Sequence, residues 1–326
     1  MESKTWHDIF LEALHKKFPK KMQLTKELMQ LLELEREAVY RRLRKEVSFS
    51  TQETAKIVTA WEISLDEISG IHSEQFLFQM MPVNYLKPSK EEQDFMKSII
   101  KSMHLFQREP NAEIMDICNK IPHSLLAGFD YLNRFYFFKW NYLYGNNTPL
   151  TPYSPVTPYS EIAFSKTEKK LMTDYYKAIK LIPNSSFILD HQIFEYLLSD
   201  IRYFHSIYLI TDAEKEQIKK ELYALLDYLH EVANKGCYPE TQNKVNLYIS
   251  QLNVETNYTY TLAPNANICF VIVFEVYEIF SLNAEMVSKF MAWMQLKKKT
   301  SIQISEVDEK SRIEFFKKQR ALVDLL

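Results

Sequence analysis

The chain is 326 residues long, enough for about two domains with a core each, and its 46% hydrophobic and 25% charged content lies near the globular average, which excludes wholesale disorder and a membrane protein. A formal net charge of −2 excludes a polyanion binder over the whole surface, so any such role must be local. Only four glycines occur where average usage gives about twenty, which counts against glycine-consuming sandwiches, barrels and dinucleotide folds and in favour of long helices.

The opening stretch MESKTWHDIFLEALHKKF mixes acids and lysines into its apolar residues, so a helix is expected there rather than a secretory signal. Trp6, Ile9, Phe10, Leu14 and Phe18 recur at helical spacing until Pro19 ends the helix. Leu24, Leu28, Leu31 and Leu32 define a second helix, and after a short break EREAVYRRLRK forms a third with Val39 and Leu43 inward. Two short helices thus meet at a tight corner. Ser50 with Glu53, and Ser64 with Glu67, carry the S-x-x-E spacing in which a serine oxygen accepts from an open helix amide while the glutamate accepts from the serine amide, so helices begin after both. Ile57, Val58, Trp61, Ile63, Leu65 and Ile68 close a small core over the first three helices, and Gly70 suits the left-handed terminating position. A five-helix domain is expected over residues 1–70.

Residues 71–110 are expected to form a linker or dimerisation helix, with Phe95, Ile99, Met103 and Phe106 along one stripe. HSLLAGFDYLNRFYFFKWNYLYGN is aromatic on every side, which predicts a buried helix. TPLTPYSPVTPYSE repeats TPYS at 151–154 and 157–160, and its four prolines in fourteen residues leave only an irregular loop. Helices follow over 165–181, 187–210 and 212–235, the first and third with boxes Ser165–Glu168 and Thr211–Glu214, the third ending at Gly236. KVNLYIS and NYTYTL alternate, and ICFVIVFEVY is rich in β-branched and aromatic residues, so an antiparallel hairpin is expected at about 244–280, turning at PNAN (264–267). Terminal helices at about 284–299 and 307–324 complete a mainly α chain, whose larger domain, 111–326, is helical with a small antiparallel β insert.

Between residues 14 and 46 ten basic residues face five acidic ones, a local balance of +5. The segment LTKELMQLLELEREAVYRRLRKEVSFSTQETAKIVTAWEISLDEIS, about a fifth of the chain once the first helix is included, resembles the Cro and phage-repressor (XRE-type) helix-turn-helix family. Val39 stands where that family anchors its recognition helix, Leu43 follows one turn on, and WEISLDEI is similar to the family's closure of helix four into helix five. Met29 departs from the usual small residue and Glu33 from the usual turn glycine. The resemblance implies a lambda-repressor-like, sequence-specific DNA-binding transcriptional regulator whose partner is double-stranded DNA.

A helix of this diameter fits the major groove, with its first residues at base edges and basic side chains on phosphates. The expected DNA-facing set is Thr25, Glu35, Arg36, Glu37, Tyr40, Arg41, Arg44 and Lys45. Arg36 and Glu37 are the expected base readers, because an arginine fork matches guanine and a glutamate accepts from cytosine; Thr25, Tyr40, Arg41, Arg44 and Lys45 are the expected phosphate contacts. One headpiece of this size grips a half-site weakly, which argues for a homodimer, with an unidentified small-molecule or protein effector for the C-terminal half. The competing reading is a solvated helix with pairs such as Glu37–Arg41, in a scaffold whose N-terminal helices dock a protein partner.

No catalytic motif occurs, and neither an enzyme, a cofactor nor a metal is expected. The nearest constellation, Asp190, His191, Asp200 and His205, falls on the stretch 187–210, where about four helical turns keep the two histidines from one metal. The aromatics Phe129–Tyr144 and Tyr203, Tyr208, Tyr223 and Tyr228 are expected to be plain core rather than a ligand cavity, and Lys297–Lys299 a solvated helix end. Cys118, Cys237 and Cys269 suit reduced thiols in a cytoplasmic protein. The apolar run 268–280 carries two glutamates and is too short to span a bilayer, so no membrane association is expected.

Overall fold

The computed structural model describes residues 5–61, 63, 65–68, 78–81, 88–126, 128–144, 157–263, 267–275 and 277–326. Contacts divide the chain into two units, Met1–Gln75 and Phe76–Leu326.

Local signals shape unit 1. Thr5 and Asp8 form a reciprocal capping box that starts α1 (Trp6–Lys17), and Ser50 with Glu53 does the same for α4 (Thr51–Trp61). Between them α2 (Lys21–Leu32) ends on Glu33 in the left-handed conformation, φ 55°, and α3 (Arg36–Leu43) begins three residues later. A short α5 (Leu65–Ile68) follows. The helices share a core in which Phe10, Leu14, Leu24, Leu28, Val39 and Ile57 have no exposed surface. Ser64, Gly70, the first TPYS copy and residues 264–266 of the PNAN turn lie outside the described residues.

Unit 2 departs from expectation. Its centre is an eight-stranded mixed sheet in the order β1-β7-β6-β5-β2-β3-β4-β8. The strands are β1 (Gln79–Met81), β2 (Glu113–Cys118), β3 (Asn184–Asp190), β4 (Lys244–Ser250), β5 (Tyr258–Leu262), β6 (Ile268–Val273), β7 (Tyr277–Ser281) and β8 (Ser301–Gln303). β2, β3 and β4 run parallel, and every other neighbouring pair is antiparallel. The expected mainly α chain with a small antiparallel insert is therefore corrected to a helical unit followed in the sequence by a mixed α/β unit. Of the expected hairpin, the antiparallel pair β5–β6 flanking 264–267 is present, but β4 pairs with β3 in parallel, and β5, β6 and β7 form a meander joined to β2.

The physical reason is burial. After its first residue β2 is buried throughout, and so is β3, so neither shows the alternation of a half-exposed strand. The apolar run of β3 also leads almost directly into α10 (Ile193–Ser206), so that a helical period set over 187–210 absorbs a strand, a turn and a helix. The parallel crossovers carry α7 (His123–Leu126), α8 (Asp130–Tyr144) and α9 (Lys166–Lys180) between β2 and β3, then α10 and α11 (Asp212–Lys235) between β3 and β4.

Helices cover both faces of the sheet. Cys118, Phe187, Leu189, Val245 and Leu247 pack against α8, α10, α11 and α13 (Glu309–Asp324). Met115, Ile117, Ile188 and Tyr260 pack against Val287, Phe290 and Met294 of α12 (Ala284–Lys299). α6 (Lys90–Phe106), expected as a linker or dimerisation helix, joins this body: Ile100 packs with Leu171 and Ala178 of α9. At the sheet margins stand the three-residue strands β1 and β8, and the outer side of β4 also bonds to Gly236 through Val245 N (2.8 Å) and to Ile304 through Leu247 O (2.9 Å).

Candidate functional site

The corner of unit 1 is built from the inside outwards. Val39 is fully buried, with Ala38 and Leu43 half-buried beside it. Arg42 ties α3 to α4: its Nη2 and Nε donate to Glu53 at 2.7 and 3.1 Å, and its Nη1 donates to the Ala38 carbonyl at 3.0 Å. Burial works to raise the Glu53 carboxyl, but the Arg42 hydrogen bond and the Ser50 amide outweigh it and hold the group below its ordinary value.

The opposite side of α3 carries charge. Arg36, Glu37, Arg41 and Arg44 are exposed and Tyr40 is half-buried. Arg36 Nη2 donates to the Tyr40 hydroxyl at 3.0 Å with its guanidinium 5.3 Å from the ring centre, and Lys21 stands 5.9 Å from the same ring. The Arg36 hydrogen bond, ahead of the nearby positive charges, lowers the Tyr40 phenol. Among the described residues no carboxylate pairs with Arg36.

Farther along, the cations are engaged. Arg44 donates to Glu37 at 2.5 Å and lies 3.0 Å from Glu46; Arg41 reaches Glu46 at 3.7 Å, and Lys45 reaches Asp8 at 2.5 Å. The Lys45 bond, then Thr5, hold the Asp8 carboxyl well below the usual range. Glu37 thus pairs with Arg44 rather than with Arg41. Glu35 is exposed as the N-cap of α3. Thr25, one of the expected phosphate contacts, is 4% exposed and its hydroxyl donates to the Lys21 carbonyl at 2.8 Å, which turns it into the corner. The other seven expected contact residues lie at the surface, wholly or in part, on α3 and its two ends.

Unit 2 contains a cavity where plain core was expected for part of the aromatic block. The β2, β5, β6 and β7 strands form the floor, and α6, α8 and α9 the walls, of a cavity of about 370 Å³. Ile99, Met103, Tyr136, Tyr175, Phe270 and Phe280 make it mostly apolar, and Asp116 and Glu278 also line it. Asp116 is 7% exposed and accepts from the Thr259 hydroxyl; burial, opposed by that bond and reinforced by the charge of Glu278, pushes its carboxyl up to about 7. Burial raises the Glu278 carboxyl and the Tyr136 and Tyr175 phenols as well. Lys120, the lysine of the lining, donates to the Glu275 carbonyl at 3.0 Å and stands 3.6 Å from its carboxylate. The available signal was one acid inside each of two apolar runs, IMDIC and VYEIF. The aromatic block is core at Phe135, Phe138 and Trp140 but lines the cavity at Tyr136 and Phe137.

The histidine constellation dissolves. Asp190 ends β3 and accepts from the Gln192 and Val254 amides, Asp200 pairs with Lys139 at 2.6 Å, and His205 bonds Asp212 at 2.8 Å. Among the described residues no three His, Cys, Asp or Glu side chains are placed to hold a metal, and no helix is long and apolar enough to cross a membrane. No protein-family model matches the chain, and no curated protein or solved structure matches it either.

Proposed function

We propose that the chain is a non-enzymatic, sequence-specific DNA-binding regulator that reads a duplex with α3. The observation that carries the reading is the two-sidedness of that helix: Val39 is fully buried beneath it, while Arg36 stands exposed at its first position with no carboxylate partner among the described residues. The first turn of a recognition helix is the part that meets base edges. Arg36 and Glu37 are then the base readers, and Tyr40, Arg41, Arg44 and Lys45 hold phosphates, the last three after exchanging their glutamate or aspartate partners for the backbone. Two such headpieces in a homodimer add their contacts. Cytoplasmic placement belongs to the same proposal and is supported by the unpaired Cys118, Cys237 and Cys269.

The test is duplex binding across a salt series, with bound sequences selected from a random library. Affinity should fall linearly on logarithmic axes as salt rises. Arg36→Ala should cost about 1–3 kcal/mol and relax preference at one base pair, whereas Lys45→Ala should weaken all sequences alike and reduce the salt slope by about 1. A protein-docking surface is the second reading, favoured by the neutralised Glu37–Arg44–Glu46 cluster. Absence of duplex binding at low salt, or two variants indistinguishable from the parent, would exclude α3 as the reading helix.

A further inference from the structure

We propose that the cavity of unit 2 is a binding site for a small organic cation: an ammonium group carried on an apolar body. The proposal does not depend on the DNA reading.

The volume of about 370 Å³ falls within the range of ligand pockets, and the site has their usual makeup of an apolar lining with a few inward polar groups. Charge decides the class of occupant. Asp116 and Glu278 both line the chamber, whereas the lining lysine, Lys120, is turned to Glu275. Among the described residues no hydrogen bond or ion pair engages the Glu278 carboxyl, and none engages the Tyr175 hydroxyl. An unpartnered acid in an apolar chamber is unfavourable when ionised. A cation entering beside it supplies the missing counter-charge, an anionic lipid or acid would add repulsion, and a neutral hydrocarbon would leave the acid as it is.

The sheet register sets the shape of the occupant. Asp116 opposes Thr259, Thr259 opposes Phe270, and Phe270 opposes Phe280, two residues beyond Glu278 on β7. The two acids thus stand three strands apart and two residues out of line, about 16 Å between backbones at the usual strand spacing and rise. Phe270 lies on the floor between them, and Phe280 lies beside Glu278 on β7. An ammonium at one acid therefore needs an extended apolar body across that floor, and a ring face of Phe270, Phe280 or Tyr175 offers the cation a second attraction.

The probe is dansylcadaverine, an amine on a flexible tether with a fluorescent aromatic end, titrated into the full chain without DNA. Its N-acetylated form and dansyl-aminohexanoate serve as neutral and anionic counterparts. The amine should bind with a blue-shifted emission and at least tenfold more tightly than either counterpart. Glu278→Gln should weaken the amine at least tenfold and leave the neutral probe unchanged, and Ile99→Trp, which fills the chamber, should abolish binding of all three. Thermal unfolding of each variant checks that the fold persists, and Asp116→Asn is the second charge variant should Glu278→Gln unfold. Equal binding of the three probes, tighter binding of the anion, or no binding of the amine would overturn the proposal. Because no duplex is present, failure here leaves the α3 reading untouched, and failure of duplex binding leaves this one untouched.

Discussion

Unit 1 holds Asp8 and Glu53 against cations at or near its surface, while unit 2 sets the buried Asp116 and the half-buried Glu278 in an apolar chamber, and the two settings move the acids in opposite directions. Paired acids prefer to be charged in the folded state; enclosed ones prefer to be neutral. The difference teaches that one chain can carry acids with opposite responses to pH, according to whether each is paired or enclosed. For the lowered acids of unit 1, stability is fully present above the ordinary carboxylate value and is lost as pH falls through the folded one. For the raised acids of unit 2, stability is fully present below the ordinary value and is lost as pH rises through the folded one.

The sharpest way to break this contrast is Asp116→Asn. A shift from 3.8 to about 7 corresponds to about 4 kcal/mol of pH-dependent stability. Unfolding of unit 2, followed through Trp140 and Trp293, should become easier as pH rises from about 4 to 7 in the parent, and the slope should lessen in the variant, with Glu278 carrying part of the remainder. An unchanged slope would mean that Asp116 is not the group responsible.

The next effect lies on the other side of the comparison. Arg42→Ala strands the half-sheltered Glu53, whose ion pair has side-chain exposures of 16% and 17%, and should cost unit 1 about 2 kcal/mol near neutral pH. The same variant should flatten the loss of unit 1 stability below about pH 4.5, the ordinary value of the Glu53 carboxyl. Denaturation followed through Trp6 and Trp61, with the other two tryptophans replaced by phenylalanine, reads both.

The smallest effect concerns backbone strain. Glu33 occupies a left-handed position, φ 55°, that a non-glycine residue adopts at a cost. Glu33→Gly should stabilise unit 1 by about 1 kcal/mol and leave the unit 2 transition in place. A destabilised unit 1 would show that the Glu33 side chain contributes more than its backbone strain costs.

The two units also differ in how far they can be read from residues alone. Thr5, Ser50 and Glu53 act within a few residues of themselves, and Leu24, Leu28 and Val39 repeat at helical spacing, so the helices of unit 1 follow from neighbours in the chain. In unit 2 the Ser165–Glu168 and Thr211–Glu214 boxes and the Gly236 terminus are equally local and lie where expected. β2 and β3 are different: their pairing joins Glu113 to Asn184 and Cys118 to Leu189, partners about seventy residues apart, and burial on both faces erases the alternation that marks a strand. The cavity was illegible for the same reason, since Asp116 and Glu278 come to line one chamber only once β2 and β7 belong to one sheet. Thr25 shows the limit even in unit 1: its place on α2 was legible, but not that its hydroxyl turns inward to Lys21.

The margins of the sheet have a consequence for the behaviour of the protein at high concentration. A long open strand invites the strand of another molecule to zip onto it, the first step towards fibres and precipitates. Among the described residues β1 and β8 hold three residues each, and the flank of β4 is patched further by Gly236 and Ile304. Such blunt ends give polymerisation by strand addition little to build on.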